Sequence, residues 1–189
     1  VYKRQRKLSA WLRINANQTV TLMVGKVELG QGILTAVSQV CADELDIGIQ
    51  RVQLISGDTA LVPNEGVTAG SFSMPNCATA VQYASAEVRA ILLGLAAEHL
   101  QQPVASLRVQ DGKISATNGT SVAYWDLVVG ESLNREATGT IKPKPSDLHQ
   151  YIGRSVQRLD LAPKIVGEAV FIHEHRPAGM LFGHLVRPP

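Results

Sequence analysis

The chain is poor in aromatic residues, which make up 5% of its 189 positions, and in charge, with 18% Asp, Glu, Lys and Arg. It has two cysteines, Cys41 and Cys77, in no CxxC or other metal spacing. That excludes a cysteine-built zinc site or an iron–sulfur array in this chain. No apolar run approaches the roughly 20 residues of a membrane-spanning helix, and no signal-peptide core is visible. The net charge of +2 is too small to argue for nucleic acid. The one basic run, Lys3-Arg4-Gln5-Arg6-Lys7, reads as a solvated end. The five histidines (99, 149, 173, 175 and 184) are scattered. His173 and His175 share the spacing of one strand face, but no third ligand accompanies them, so a surface strand is expected there. The chain starts at Val1, not Met, so the expected start is processed or cut away and compartment evidence with it.

What is present is 45% hydrophobic residues and sixteen glycines, enough for one ordinary domain or one domain plus part of another. Strands are expected over Trp11–Asn15 and Thr19–Val24, joined by an Ala16-Asn17-Gln18 turn, the second of them half-buried. A helix is expected from Ile33 to Leu45, stopped by Gly48. Arg51–Ser56 alternates as another strand. A long helix runs from about Ala78 to Leu100. Leu107–Val109 and Lys113–Ala116 flank Asp111-Gly112, a strong hairpin turn. Ser121–Ala123 makes a further strand and Tyr124–Val128 a short helix. The unit is therefore α+β: small mixed sheets with two main helices. Cys41 and Cys77 are expected as buried small hydrophobes. The domain expectations are 8–135 for this unit, 136–152 for a linker around Lys142-Pro143-Lys144-Pro145, and 153–189 for a second domain cut short. In that last span Lys164–Ile172 reads as a turn into a strand and Gly179–Val186 as another.

Two loops carry candidate chemistry. Gly25-Lys26-Val27-Glu28-Leu29-Gly30-Gln31-Gly32 sits at a strand-to-helix junction. Its glycines permit close approach of a ligand, and the helix start offers unpaired N–H groups to an anionic or carbonyl-rich one. The second loop, Thr68-Ala69-Gly70-Ser71-Phe72-Ser73, clusters small and hydroxylated residues just before the long helix. The plain alternatives are a tight turn for the first loop and a Ser/Thr-rich helix cap for the second.

Together these segments resemble the large, molybdenum-binding chain of the xanthine oxidase / aldehyde oxidase family, and within it the isoquinoline 1-oxidoreductase type. GKVELGQG is similar to the family's Gly-Gln-Gly pterin segment, and TAGSFS to its second pterin loop. KIVGEAVFI with Gly179-Met180-Leu181 resembles the start of the family's hammerhead α/β domain. The resemblance implies that Leu29, Gly30, Gln31, Gly70, Ser71, Phe72 and Ser73 contact molybdopterin, in bacteria usually its cytosine dinucleotide form. It implies hydroxylation of aldehydes or electron-poor N-heterocycles with oxygen from water. It also implies two partners, the remainder of the large subunit and a small subunit carrying [2Fe–2S] clusters. The site would lie on the cytoplasmic or periplasmic side of a bacterial membrane.

The departures are equally informative. The family's catalytic glutamate stands in a Gly-x-Gly-Glu segment that this sequence lacks. Gly167-Glu168 falls in the hammerhead-like start, so no catalytic residue and no protein metal ligand is assigned. The expectation is one wall of a cofactor site, with this chain alone inactive and without tightly bound molybdenum. Two rivals stand beside it: a non-catalytic α+β binding or scaffold module, and a phosphate loop in GKVELGQG. The spacing fits neither G-x-x-x-x-G-K-[ST] nor G-x-G-x-x-G.

Overall fold

A computed structural model describes residues 6–128, 133–168 and 171–188. The chain divides into two compact units, residues 1–156 and 157–189. Lys3, Arg4 and Gln5 of the basic run, and Ala169 and Val170 of the expected late strand, lie outside the described residues.

The first unit is α+β, as expected. Strand β1 (Leu12–Ile14) pairs antiparallel with β2 (Val20–Val24). Strand β3 (Val52–Ser56) pairs parallel with β2, with Val20 opposite Val52 and Val24 opposite Ser56. A parallel pair needs a crossover, and helix α1 (Ile33–Leu45) provides it. β2 is the central strand, and all five of its residues are buried. That corrects the half-buried expectation: Thr21 breaks the apolar run, yet it is enclosed and accepts a 2.9 Å hydrogen bond from the Asn15 amide. Helix α2 (Thr79–Leu100) packs on α1. Its stripe of Val81, Ala84, Val88, Leu92 and Ala96 is fully buried. A π-helical turn, Ser73–Ala78, leads into it and contains Cys77.

A second sheet is an antiparallel meander of β4 (Leu107–Gln110), β5 (Lys113–Ala116) and β6 (Ser121–Ala123), continued by the short helix α3 (Tyr124–Leu127). Asp111 and Gly112 both have positive φ, 47° and 76°, as the type I′ turn requires. The Asp111 carboxylate accepts from Gly48 N and from Arg51, each at 2.8 Å. The buried Tyr124 hydroxyl donates to Leu45 O at 2.9 Å. These bonds tie the meander to the end of α1. That helix ends at Leu45 as expected, but the residue that stops it differs. Asp46, not Gly48, takes the left-handed capping position with φ 53°. Its carboxylate is paired with Arg89 at 2.7 Å and with Lys144, which holds an otherwise disfavoured backbone angle in place.

The stretch read as a linker is bound down along the helices by three buried carboxylates. Glu87 accepts from Thr138 N at 2.7 Å and from Gly139 N at 3.2 Å. Glu44 accepts from Lys144 N at 3.1 Å. Asp43 accepts from Gln150, Tyr151 and Ile152 N at 2.7–3.0 Å. Proline removes helix and sheet hydrogen bonds here, so the strap's N–H groups turn to side chains instead.

The second unit corrects the late-strand expectations. Helix α4 (Leu161–Ile165) occupies the start of the expected Lys164–Ile172 strand. Ile172–Glu174 is a single 3-10 turn, so His173 and His175 do not share a strand face. Gly179–Val186 forms no strand among the described residues. A strand needs a neighbour to take its hydrogen bonds, and none of the described residues of this unit supplies one.

Candidate functional site

The two loops singled out in the sequence meet. Leu29, Gln31, Ile33 and Ala36 from one side and Thr68, Ala69, Gly70, Ser71, Ser73 and Met74 from the other line one open groove of about 420 Å³. Five of the seven candidate residues (Leu29, Gln31, Gly70, Ser71 and Ser73) line it. Gly30 and Phe72 belong to the same loops outside the lining, and the Phe72 ring lies against Gly70.

The first wall is built by internal capping. Gly30 and Gly32 have φ of 102° and 78°, angles that L-residues with side chains avoid. A Cβ at either position would meet nothing within 4 Å, so open space adjoins the backbone there. The Glu28 carboxylate accepts from Gly30 N and Gly32 N, both at 2.8 Å, and from Leu34 N at 3.5 Å. It therefore occupies the start of α1 and takes the Gly32 and Leu34 N–H groups, two of those expected there for an anion. Gln31 is turned inward on its own loop. Its Oε1 accepts from Leu29 N at 2.5 Å and its Nε2 donates to Val27 O at 3.0 Å.

The second wall is a strained turn. Gly70 and Ser71 are both left-handed, with φ of 61° and 58°. For serine this costs on the order of 1–3 kcal/mol and marks a position worth functional attention. Phe72 N closes the turn on Ala69 O at 3.3 Å. No Ser/Thr side chain caps α2: its N-cap is Ala78 and the π-helical turn precedes it. That leaves the hydroxyls of Ser71 and Ser73 on the groove, as donors and acceptors. Exposed apolar side chains rim the groove: Leu29 at 69%, Val67 at 80%, Phe72 at 57% and Met74 at 47%.

Below the groove the walls are cross-linked by residues that the sequence did not reveal. Lys26 is 3% exposed. Its ammonium donates to Glu65 O at 3.0 Å and Val67 O at 2.6 Å. The Glu65 carboxylate accepts from Gly25 N at 2.7 Å, and Val27 N donates to Thr68 Oγ1 at 3.0 Å. Gly25 is required by contact, because a Cβ there would lie 2.3 Å from Pro63 O. Cys77 is buried beside this cluster. Burial, reinforced by the Glu65 carboxylate, pushes its thiol well above the ordinary range. Cys41 is pushed up to about 12 by burial. Both thiols stay protonated at neutral pH and are poor nucleophiles and metal ligands. Among the described residues no three His, Cys, Asp or Glu converge to hold a metal ion, and no helix is long and apolar enough to cross a membrane. Only Glu28 had a signal in sequence, an acidic residue just ahead of a helix start. A lysine leaving an apolar strand reads as solvated, and nothing local announces its burial.

Comparison with known proteins bears on the same span. A family model described as "Molybdopterin cofactor-binding domain" matches residues 2–155, almost the whole first unit. The chain is 33% identical over 186 residues to one of the chains of nicotinate dehydrogenase from Pseudomonas putida, covering 98% of this chain and 16% of that protein. It is 26% identical to the beta chain of isoquinoline 1-oxidoreductase from Brevundimonas diminuta, covering 96% of this chain and 28% of that one. Among solved structures, a reconstituted CO dehydrogenase from Oligotropha carboxidovorans matches with a TM-score of 0.52 and 26% identity, over 61% of this chain and 15% of that one. The chain thus spans less than a third of the length of each of these relatives.

Proposed function

The chain belongs to the family of molybdopterin cofactor-binding domains of the xanthine oxidase / aldehyde oxidase group, and from that premise we propose that its groove is one wall of the cofactor site of a molybdenum hydroxylase. The observation that carries this reading is the meeting of the Gly30–Gly32 and Gly70–Ser73 loops on one groove. The residues present fit the pterin part of the group. Open space adjoins Gly30 and Gly32, serine hydroxyls are available, and no charged side chain lines the groove. Bound there, the cofactor supplies the redox chemistry that hydroxylates an aldehyde or an electron-poor N-heterocycle with oxygen from water.

The chain's own part is positional. Leu29, Gly30, Gly70 and Phe72 offer backbone and apolar surface for a flat ring system. Ser71 and Ser73 offer hydrogen bonds to its polar edge or to a phosphate. Gln31 shapes the first wall, since its amide is engaged with Val27 and Leu29. The catalytic base and the remaining walls come from the rest of the large subunit, and a [2Fe–2S] small subunit receives the electrons. The cytosine dinucleotide form is the expected cofactor. A non-catalytic scaffold module is not favoured, because such a module gives no reason for two glycine-rich loops to share a groove in this family's order.

The test uses the full-length protein with its partner subunit. Elemental analysis should find molybdenum near one per large subunit. Oxidative release should yield a fluorescent pterin, and chromatography should show a cytosine nucleotide. A fully assembled complex with neither pterin nor molybdenum would overturn the reading. The 189-residue chain by itself is expected to show no hydroxylase turnover, because a partial site loses much of the burial that binding needs.

A further inference from the structure

We propose that Lys26 is the positioning residue of the groove: its buried ammonium, held by Glu65 O and Val67 O, fixes the distance between the two loops. The inference rests on the cofactor reading only for its functional consequence. Burying a charged amine is costly unless its donors are used, and here two of them grip main-chain carbonyls of the loop that leads into the second wall. Strand β2 and its exit anchor the other end. Ser56 Oγ donates to Lys26 O at 2.7 Å, which fixes the lysine backbone to β3. Three residues along, the same chain is the first wall. Lys26 thus joins Leu29 and Gln31 to Gly70, Ser71 and Ser73 without lining the groove itself.

The flanking bonds belong to the same clamp and contribute one contact each. Gly25 N to the Glu65 carboxylate and Val27 N to Thr68 each use one bond. Charge-assisted bonds are about twice as strong as neutral ones, so the lysine should dominate Thr68. The Glu65 carboxylate takes one main-chain N–H, that of Gly25, where the Lys26 ammonium grips two main-chain carbonyls.

The experiment compares full-length wild type with Lys26→Met, which keeps the aliphatic stem, and with Val122→Ala, a core change in β6 away from the groove. Hydrogen exchange by mass spectrometry reads the peptide spanning 68–73. Lys26→Met should speed its exchange by roughly tenfold or more, while Val122→Ala leaves that peptide near wild type. Unchanged exchange in Lys26→Met, or equal acceleration in the control, overturns the proposal. If Lys26→Met does not fold, Lys26→Gln, whose shorter amide cannot reproduce both ammonium contacts, should speed the same peptide by a smaller factor, and no acceleration there overturns it equally. Pterin content, read by fluorescence after oxidation, should fall below about a third of wild type in Lys26→Met and recover in part in Lys26→Arg. Retained pterin with a loosened loop removes the functional consequence. Accelerated exchange in a protein whose wild type carries no pterin keeps the clamp and removes the cofactor reading instead.

Discussion

The two units use similar residues to opposite effect. In the first, Val20, Leu22, Val24, Val37, Val81 and Leu92 are almost entirely hidden from solvent. In the second, Ile165, Val166, Leu181, Phe182, Leu185 and Val186 are all exposed. Both stretches carry apolar runs that read as strands. β2 became a strand because β1 and β3 flank it. Gly179–Val186 found no such neighbour among the described residues. Apolar patterning is therefore a request for a partner, and the structure depends on whether the chain can answer it.

The sharpest way to break that comparison is a matched pair of truncations. Leu92→Ala removes a fully buried side chain from α2, and should cost about 2–5 kcal/mol. Leu181→Ala, at 92% exposure, should stay within roughly 0.5 kcal/mol. Urea denaturation of both variants measures the difference. Equal losses would mean that Leu181 is packed in solution.

A middle-sized effect is expected at the strap. Asp43 is buried on α1 and gathers three main-chain N–H groups from residues 150–152. Asp43→Ala leaves those donors unpaired, and a hydrogen bond to a charged group is worth about 1.5–3 kcal/mol. The variant should lose that much stability and become susceptible to trypsin at Arg154. A strap that stays protease-resistant in Asp43→Ala would show that Gln39, which donates to Tyr151 O at 2.6 Å, suffices to hold it.

These residues also show what could be read in advance. Helix α1 was legible in its bounds from its apolar period, although Asp46 and not Gly48 caps it. The Asp111-Gly112 hairpin was legible because few turn sequences are so specific. The groove was legible as two loops, and their likeness to one family's segments predicted that they meet. The strap was not legible. Asp43, Glu44 and Glu87 lie on helices, where carboxylates normally face water, and Pro-rich sequence normally means a free connection. Their pairing is nonlocal, between positions about 50 to 110 apart in sequence, and no local pattern encodes it. The Lys26 clamp escaped for the same reason. The parallel pairing of β2 with β3 likewise depends on where α1 returns the chain.

The smallest effect is a difference in sign between the units as pH changes. Burial raises the pKa of Glu44, with Lys144 N and the Gln82 amide pulling it partly back. A carboxyl raised in the folded state stabilises fully below its unfolded value, and that contribution fades as pH rises through the folded one. Glu44→Gln should therefore gain stability relative to wild type as pH climbs above the ordinary carboxylate range. In the second unit Asp160 behaves oppositely. Hydrogen bonds from Arg158 and then Lys164 hold its carboxyl well below the usual range. Its contribution is present above the ordinary value and is lost as pH falls. Those ion pairs are partly exposed, so solvent screening keeps that contribution small. Thermal melts of wild type, Glu44→Gln and Asp160→Asn between about pH 2 and pH 7 separate the two, Asp160 acting below about pH 4 and Glu44 above it. The gap between wild type and Glu44→Gln should widen toward about pH 7. A gap that does not change with pH would mean that Glu44 ionises as freely in the folded protein as in the unfolded chain, and that the hydrogen bonds from Lys144 and Gln82 fully offset its burial.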